Sequence, residues 1–157
     1  TVLGSVAVGR FPSHVAVNTR TNRLYVGNRD SATVSVLDGA SGAVLATVST
    51  GQPPGELAVD EATDRVYVAH GADAVTILDG ATNRALTTLR VGSYPAGIAV
   101  DPATHTAYVA DLGDNTLWAI RARHFGPPTA RLTLRTVPQM PSPVADPCSC
   151  ALPPLTG

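Results

Sequence analysis

Lysine is absent from this 157-residue chain, and all 11 of its basic residues are arginine. Twelve acidic residues bring the formal net charge to −1, so no global positive field recruits phosphate backbones or anionic lipid. No nucleic-acid partner is expected, and the arginine-only usage reads as a compositional bias. Aromatic residues are only 4% of the chain, and no apolar run approaches the roughly 20 residues that span a bilayer, so no membrane span is expected. The opening residues Thr1-Val2-Leu3-Gly4 carry neither a basic n-region nor an initiating Met, as in a mature or excised soluble chain. Cysteine is missing from residues 1–147, which fits an exported protein. The two that follow, Cys148 and Cys150, are too close for an ordinary disulfide with each other; a Cys-x-Cys pair can hold metal or bridge chains, and two cysteines specify neither. There is no P-loop, no Gly-x-Gly-x-x-Gly and no serine nucleophile elbow.

What the chain has instead is 19 Val and 18 Thr, with 14 Gly and 13 Pro spread along it. Branching at Cβ restricts χ1 in helices and packs well on pleated sheets, so the composition points to a β-rich fold. It also repeats. Val6–Thr47 lies over Val48–Thr88 and again over Leu89–Ile120, with Gly9, Gly51 and Gly92 in register. Pro12, Pro54 and Pro95 coincide, as do Tyr25, Tyr67 and Tyr108, at steps of 42 and 41 residues.

Four short strands, A to D, can be read in each copy from β-branched runs bounded by turn residues. Strand A is Val15–Val17, Leu57–Val59 and Ile98–Val100; strand B is Leu24–Val26, Val66–Val68 and Ala107–Val109. Strand C is Val34–Leu37, Val75–Leu78 and Leu117–Ile120, and strand D is Val44–Val48 and Ala85–Leu89. Asp38-Gly39 and Asp79-Gly80 follow strand C, where the glycine suits a tight turn. Both faces of such a sheet are rather apolar, so neither can stay in water alone. A period near the roughly 40 to 45 residues of propeller blades therefore predicts an all-β fold of β-propeller blades, three four-stranded antiparallel sheets of an incomplete propeller.

The string of Pro, an apolar-Ala-Val strand, a polar turn, Tyr-Val, a short Asn/Asp loop, Thr-Val-Ser-Val-Leu-Asp and Val-Leu-Ala-Thr resembles the YVTN β-propeller repeat over about residues 1–120. Copy one keeps Leu24-Tyr25-Val26-Gly27-Asn28, with Gly27 where the family usually has Thr; the later copies carry Ala69-His70 and Ala110-Asp111 there. The resemblance implies a propeller of the kind found in secreted, periplasmic and surface-layer proteins, where a seven-bladed disc is usual. The chain is too short for such a disc.

The predicted organisation places propeller blades over residues 1–137, with 1–8 as the outer strand of a preceding blade and 9–50, 51–91 and 92–137 as repeats. Arg131–Val137 is expected as the third strand D, and 138–157 as a Pro-rich tail or the degenerate start of a fourth repeat. Two open blade faces of roughly 500 Å² apolar surface each, at about 25 cal/mol per Å², forfeit on the order of 12 kcal/mol per face. That rivals the net stability of a whole domain, about 5 to 15 kcal/mol. The chain is accordingly expected to be part of a longer array, packing on other blades of that array, or to self-associate into a larger ring.

Ligand sites of propellers commonly sit on the face carrying the D-to-A and B-to-C connections. Candidate binding residues there are Arg10, His14, Asn28 and Arg29 from the first copy, Glu56 and His70 from the second, and Tyr94 and Asp111 from the third. His14 and Glu56 occupy one repeat position and could share a proton or a divalent metal, though variable loop residues are the blander account, and neither a metal nor another cofactor is expected. Asn28, His70 and Asp111 also share a position, where capping the turn after strand B is the simplest role. Asp111, Asp114 and Asn115 lack the spacing of an EF-hand loop, so turn capping is favoured over calcium. Trp118 replaces Ser35 and Thr76, either filling space near an edge or marking a contact surface. The tyrosines fall where inter-blade core residues would lie. The leading expectation is a non-catalytic, exported binding or interaction scaffold whose ligand is a protein, a glycan or a small molecule. Its competitors are part of a lyase-like, lactonase-like or cofactor-binding propeller, and a purely structural surface-layer module.

Overall fold

The computed structural model describes residues 1–122 and the strand Leu134–Thr136. Its first sheet contains β1 (Pro12–Asn18), β2 (Arg23–Asn28), β3 (Thr33–Asp38) and β4 (Val44–Ser49). The second contains β5 (Pro54–Asp60), β6 (Arg65–His70), β7 (Ala74–Asp79) and β8 (Arg84–Arg90). The third contains β9 (Pro95–Asp101), β10 (Thr106–Asp111), β11 (Thr116–Ile120) and β12 (Leu134–Thr136). Every sheet is an antiparallel meander in chain order. The predicted strands A to D are all present, extended at their ends by a few residues. Of the expected strand 131–137, residues 134–136 pair with β11, and the rest lies outside the described residues, as do 138–157 with Cys148 and Cys150.

The turn from A to B shows why the strands stop where they do. Asn18 Oδ1 accepts the amides of Arg20 and Thr21, Asp60 Oδ1 that of Ala62, and Asp101 Oδ1 that of Ala103. Each is an Asx turn that folds the backbone back on itself. Asn22, Asp64 and His105 close the three turns at φ of 52°, 53° and 54°, a left-handed conformation that Asn, Asp and His tolerate better than most residues. Residues 1–8, expected as an outer strand, make no ladder here. A strand D draws its hydrogen bonds from strand C of its own blade, and no strand among the described residues pairs with residues 1–8.

The three sheets stand side by side like wedges around an axis: β1 lies beside β5 and β5 beside β9, while on the outside β4 approaches β8. This is the arc of a β-propeller. Two apolar layers hold it. Between the first and second blades lie Tyr25, Val34 and Val36 against Leu57, Val66, Val68 and Leu78. Between the second and third lie Tyr67, Val75 and Ile77 against Ile98, Val109 and Ile120. The middle blade is thus buried on both faces. Polar clasps repeat the same joint at the lower face. Asn18 Nδ2 donates to Asp64 Oδ1 at 2.8 Å, and one joint later His105 Nδ1 lies 3.1 Å from Asp60 Oδ2. Two of the three repeat tyrosines reach the segment after strand C of the next blade: the Tyr25 hydroxyl sits 2.6 Å from where a Cβ on Gly80 would be, and Tyr67 hydrogen-bonds to the Ala122 backbone. Burial pushes both phenols up in pKa, so they stay neutral at ordinary pH.

Tyr67 is fully buried at a joint, whereas Tyr108, at the same repeat position, is 36% exposed. Tyr67→Ala is therefore expected to cost about 3–5 kcal/mol in denaturant unfolding and Tyr108→Ala about 1 kcal/mol or less. Equal losses would contradict the radial packing.

Candidate functional site

The upper face is built from the loops that enter strand A and those that leave strand B. Its walls are the inner-strand prolines Pro54 and Pro95 with Pro53, because proline at the first residue of an edge strand forfeits no ladder bond. These surround a groove of about 350 Å³ where the three blades converge. His14, Arg29, Glu56 and Tyr94 line it, so four of the eight candidate residues come together.

They differ in how firmly they are held. Tyr94 has φ of 78°, an unusual conformation for an aromatic residue, and is clamped by hydrogen bonds on both sides: its amide donates to Ala72 O at 2.7 Å and its carbonyl accepts from Leu112 N at 3.0 Å. Its ring remains 52% exposed. Phe11 stands at the equivalent position of the first blade with φ of 53°, its carbonyl accepting from Arg29 N at 2.9 Å, which fixes the base of that arginine. Glu56 Oε2 accepts the amide of Ile98 at 3.2 Å, so this carboxylate braces the second blade to β9, the inner edge strand of the third sheet among the described residues. His14 Nδ1 lies 3.0 Å from Ser13 Oγ in an exposed position. Arg10 is exposed beside the groove, its amide donating to Ser31 Oγ.

The other three candidates lie inside the blades. Asn28 is fully buried, and its Nδ2 donates to Ser35 Oγ at 2.9 Å and to Thr33 Oγ1 at 3.2 Å. His70, equally buried, lies between Pro53 O at 3.2 Å from Nδ1 and Thr76 Oγ1 at 2.7 Å from Nε2, with Thr88 Oγ1 2.9 Å further on. Since a carbonyl only accepts, Nδ1 carries the proton and Nε2 accepts from the Thr76 hydroxyl. Asp111 is almost fully buried, and its Oδ1 accepts the Asp114 amide at 2.9 Å. One repeat position thus supplies the polar pin that ties the end of strand B to its surroundings, and these side chains are not displayed to a ligand. Asp114 is engaged in the same loop, accepting from Ser93 Oγ at 2.9 Å. Trp118 is half-buried and packs against the layer between blades two and three.

Among the described residues, sequence reasoning did not single out Pro53, Ala72 and Ala96 as groove walls. The available signal was the shared loop position; what was missing was which side chains the backbone turns inward.

No family model matches the chain, and no curated protein matches it. Several hundred solved structures do resemble it. Kuenenia stuttgartiensis hydrazine synthase is 25% identical with a TM-score of 0.67, over 77% of this chain and 36% of that one. The β-propeller domain of Swd1 from Myceliophteria thermophila is 17% identical with a TM-score of 0.68, over 92% and 43%. A Bacteroides fragilis protein described as a 6-phosphogluconolactonase is 22% identical with a TM-score of 0.66, over 83% and 39%. The chain spans less than half the length of each.

Burial holds the His70 pKa below its ordinary value, against the opposing pull of the Pro53 carbonyl and the Asp73 charge. The folded state thus binds this proton less readily than the unfolded one, so its stability is intact above about pH 6.5 and is lost as pH falls from there toward the folded pKa. Thermal melts between pH 7.5 and 5 should show a fall in Tm that His70→Asn, borrowing the Asn28 solution, reduces. The same slope in both proteins would refute the assignment. The window lies above the range in which the hydrogen-bonded carboxylates Asp38 and Asp101, both lowered in pKa by donors in their own turns, become protonated.

Proposed function

We propose that the chain is a non-catalytic segment of an exported propeller, built of YVTN-type repeats, that binds a ligand in the upper groove. The observation that carries this reading is Tyr94: an aromatic ring half open to solvent, held in a costly backbone conformation at the lip of the groove, beside proline walls and the exposed Arg29. Strained residues persist only where the surroundings hold them, and they cluster at ligand sites. A flat ring next to apolar walls and one cation suits an extended ligand with an apolar edge and an acceptor group, such as a peptide segment or an oligosaccharide. Export and a place at the cell surface, in the periplasm or outside the cell are supported by the repeat resemblance and by the absence of cysteine over residues 1–147.

The competing reading, part of a lyase-like, lactonase-like or cofactor-binding propeller, draws on His14 and Glu56 lining the same groove. It is weakened because Glu56 is committed to the Ile98 amide.

Display of the protein against a glycan array and a random peptide library should yield ligands whose binding falls at least tenfold in Arg29→Ala and Tyr94→Ala, with melting temperatures within a few degrees of the parent. Ligands that bind both variants undiminished would place the site elsewhere.

A further inference from the structure

Asn28, His70 and Asp111 hold one repeat position, but the third blade surrounds it differently. In the first blade Asn28 Nδ2 reaches both the hydroxyl opposite it, on Thr33, and the one two residues further along β3, on Ser35. In the second, both ring nitrogens of His70 are engaged. Asp111 caps its own loop through Oδ1 alone; its Oδ2 is buried without a partner, in a residue only 4% exposed. Thr116 Oγ1, the counterpart of the Thr33 hydroxyl, is also buried and unpartnered, and so is Nε1 of Trp118, which stands where Ser35 does. The ladder pairs Asp111 with Thr116 and Val109 with Trp118, so the three atoms belong to side chains on one face, the face that packs on the second blade. Asn28 keeps an unpartnered oxygen as well, but an amide carries no charge. A buried carboxylate oxygen without donors costs far more, and a cation offsets that cost. Among the described residues no ion pair involves Asp111 or Asp114, although Asp73, three residues after His70 as Asp114 is after Asp111, is paired with Arg90.

We propose that the upper end of the joint between the second and third blades is a calcium site, with Asp111 Oδ2, Thr116 Oγ1 and the Asp114 carboxylate as protein ligands and waters completing the shell. Oxygen donors with two carboxylates among them suit a hard cation that takes about six to eight ligands in a flexible arrangement; magnesium, which demands a near-ideal octahedron, suits them less. Asp114 is exposed while Asp111 is buried, so the first gives the ion its way in from solvent and the second its charge at depth. A water on the ion accepts from Trp118 Nε1, which a bare cation cannot do. Gly92 lies against Asp111 Oδ2 so closely that a Cβ there would overlap it, and Ser93 Oγ donates to Asp114 Oδ1, so the ion also steadies the loop that carries Tyr94. The inference stands apart from the groove and its ligand.

Trp118 is the single tryptophan of the chain and so a built-in antenna for terbium, which substitutes for calcium. The full chain carrying Cys148→Ser and Cys150→Ser, stripped with a chelator, should show terbium luminescence when tryptophan is excited. Calcium should displace it with half-effect at about 0.1–1 mM, the range of extracellular calcium modules. Calcium at about 10 mM should also raise Tm by about 3–10 °C, and magnesium at the same concentration by far less. Asp111→Asn should abolish both responses, Thr116→Val should weaken calcium at least fivefold, and Trp118→Phe should lose the luminescence while keeping the calcium shift in Tm. If Asp111→Asn does not fold, Thr116→Val carries the test. Luminescence that is missing or that survives Asp111→Asn would overturn the inference, as would a Tm indifferent to calcium, the result expected if the three atoms share only a buried water.

Discussion

A four-stranded sheet with apolar side chains on both faces has no stable existence as a single layer in water, and this constraint organises the rest of the molecule. Hydrophobic burial is non-directional and scales with area, so the answer to two apolar faces is a neighbour on each side. Strand twist turns a stack of such neighbours into a fan. The middle blade, dry on both faces, is what every blade requires; among the described residues the first and third have it on one face only.

Polar chemistry in the blades is subordinate to that stacking. The Asx turns at Asn18, Asp60 and Asp101 end the inner strands, and the same turns then supply the clasps to the next blade. At the opposite end, Asn28, His70 and Asp111 satisfy buried backbone and hydroxyl groups that strand ends would otherwise leave unpaired. The groove arises because three inner strands converge without pairing, and the loops over them are proline-rich and cannot fill the gap with ladder bonds. Position in the fold, more than residue identity, makes this the place where a ligand is met.

Much of the architecture was legible in the residues. Tyrosines at steps of 42 and 41, each followed by Val, announce the period, and the alternation around them announces which side chains face a neighbour. Tyr108 shows the limit of that logic, since the repeat gives it a buried position while the end of the arc leaves it partly open. The site was read less well. His14, Arg29, Glu56 and Tyr94 were found from loop position and do line one groove, but the same criterion admitted Asn28, His70 and Asp111. Polar residues at the end of a strand look alike in sequence whether the side chain turns out to solvent or in to the sheet. Only the partners Ser35, Thr76 and the Asp114 amide decide the matter, and each is met only once the hairpin from strand B to strand C has folded. The positive φ of Tyr94 carries no sequence signal at all, since neither Gly nor Asn stands there.

Native-state hydrogen exchange tests most directly the claim that burial between sheets carries the stability. Amides of β6 and β7 should be the slowest to exchange, opening only with global unfolding, while those of β1 and β9 open through smaller fluctuations of the end blades. Protection spread evenly over the three sheets, or weakest in the middle one, would contradict the account.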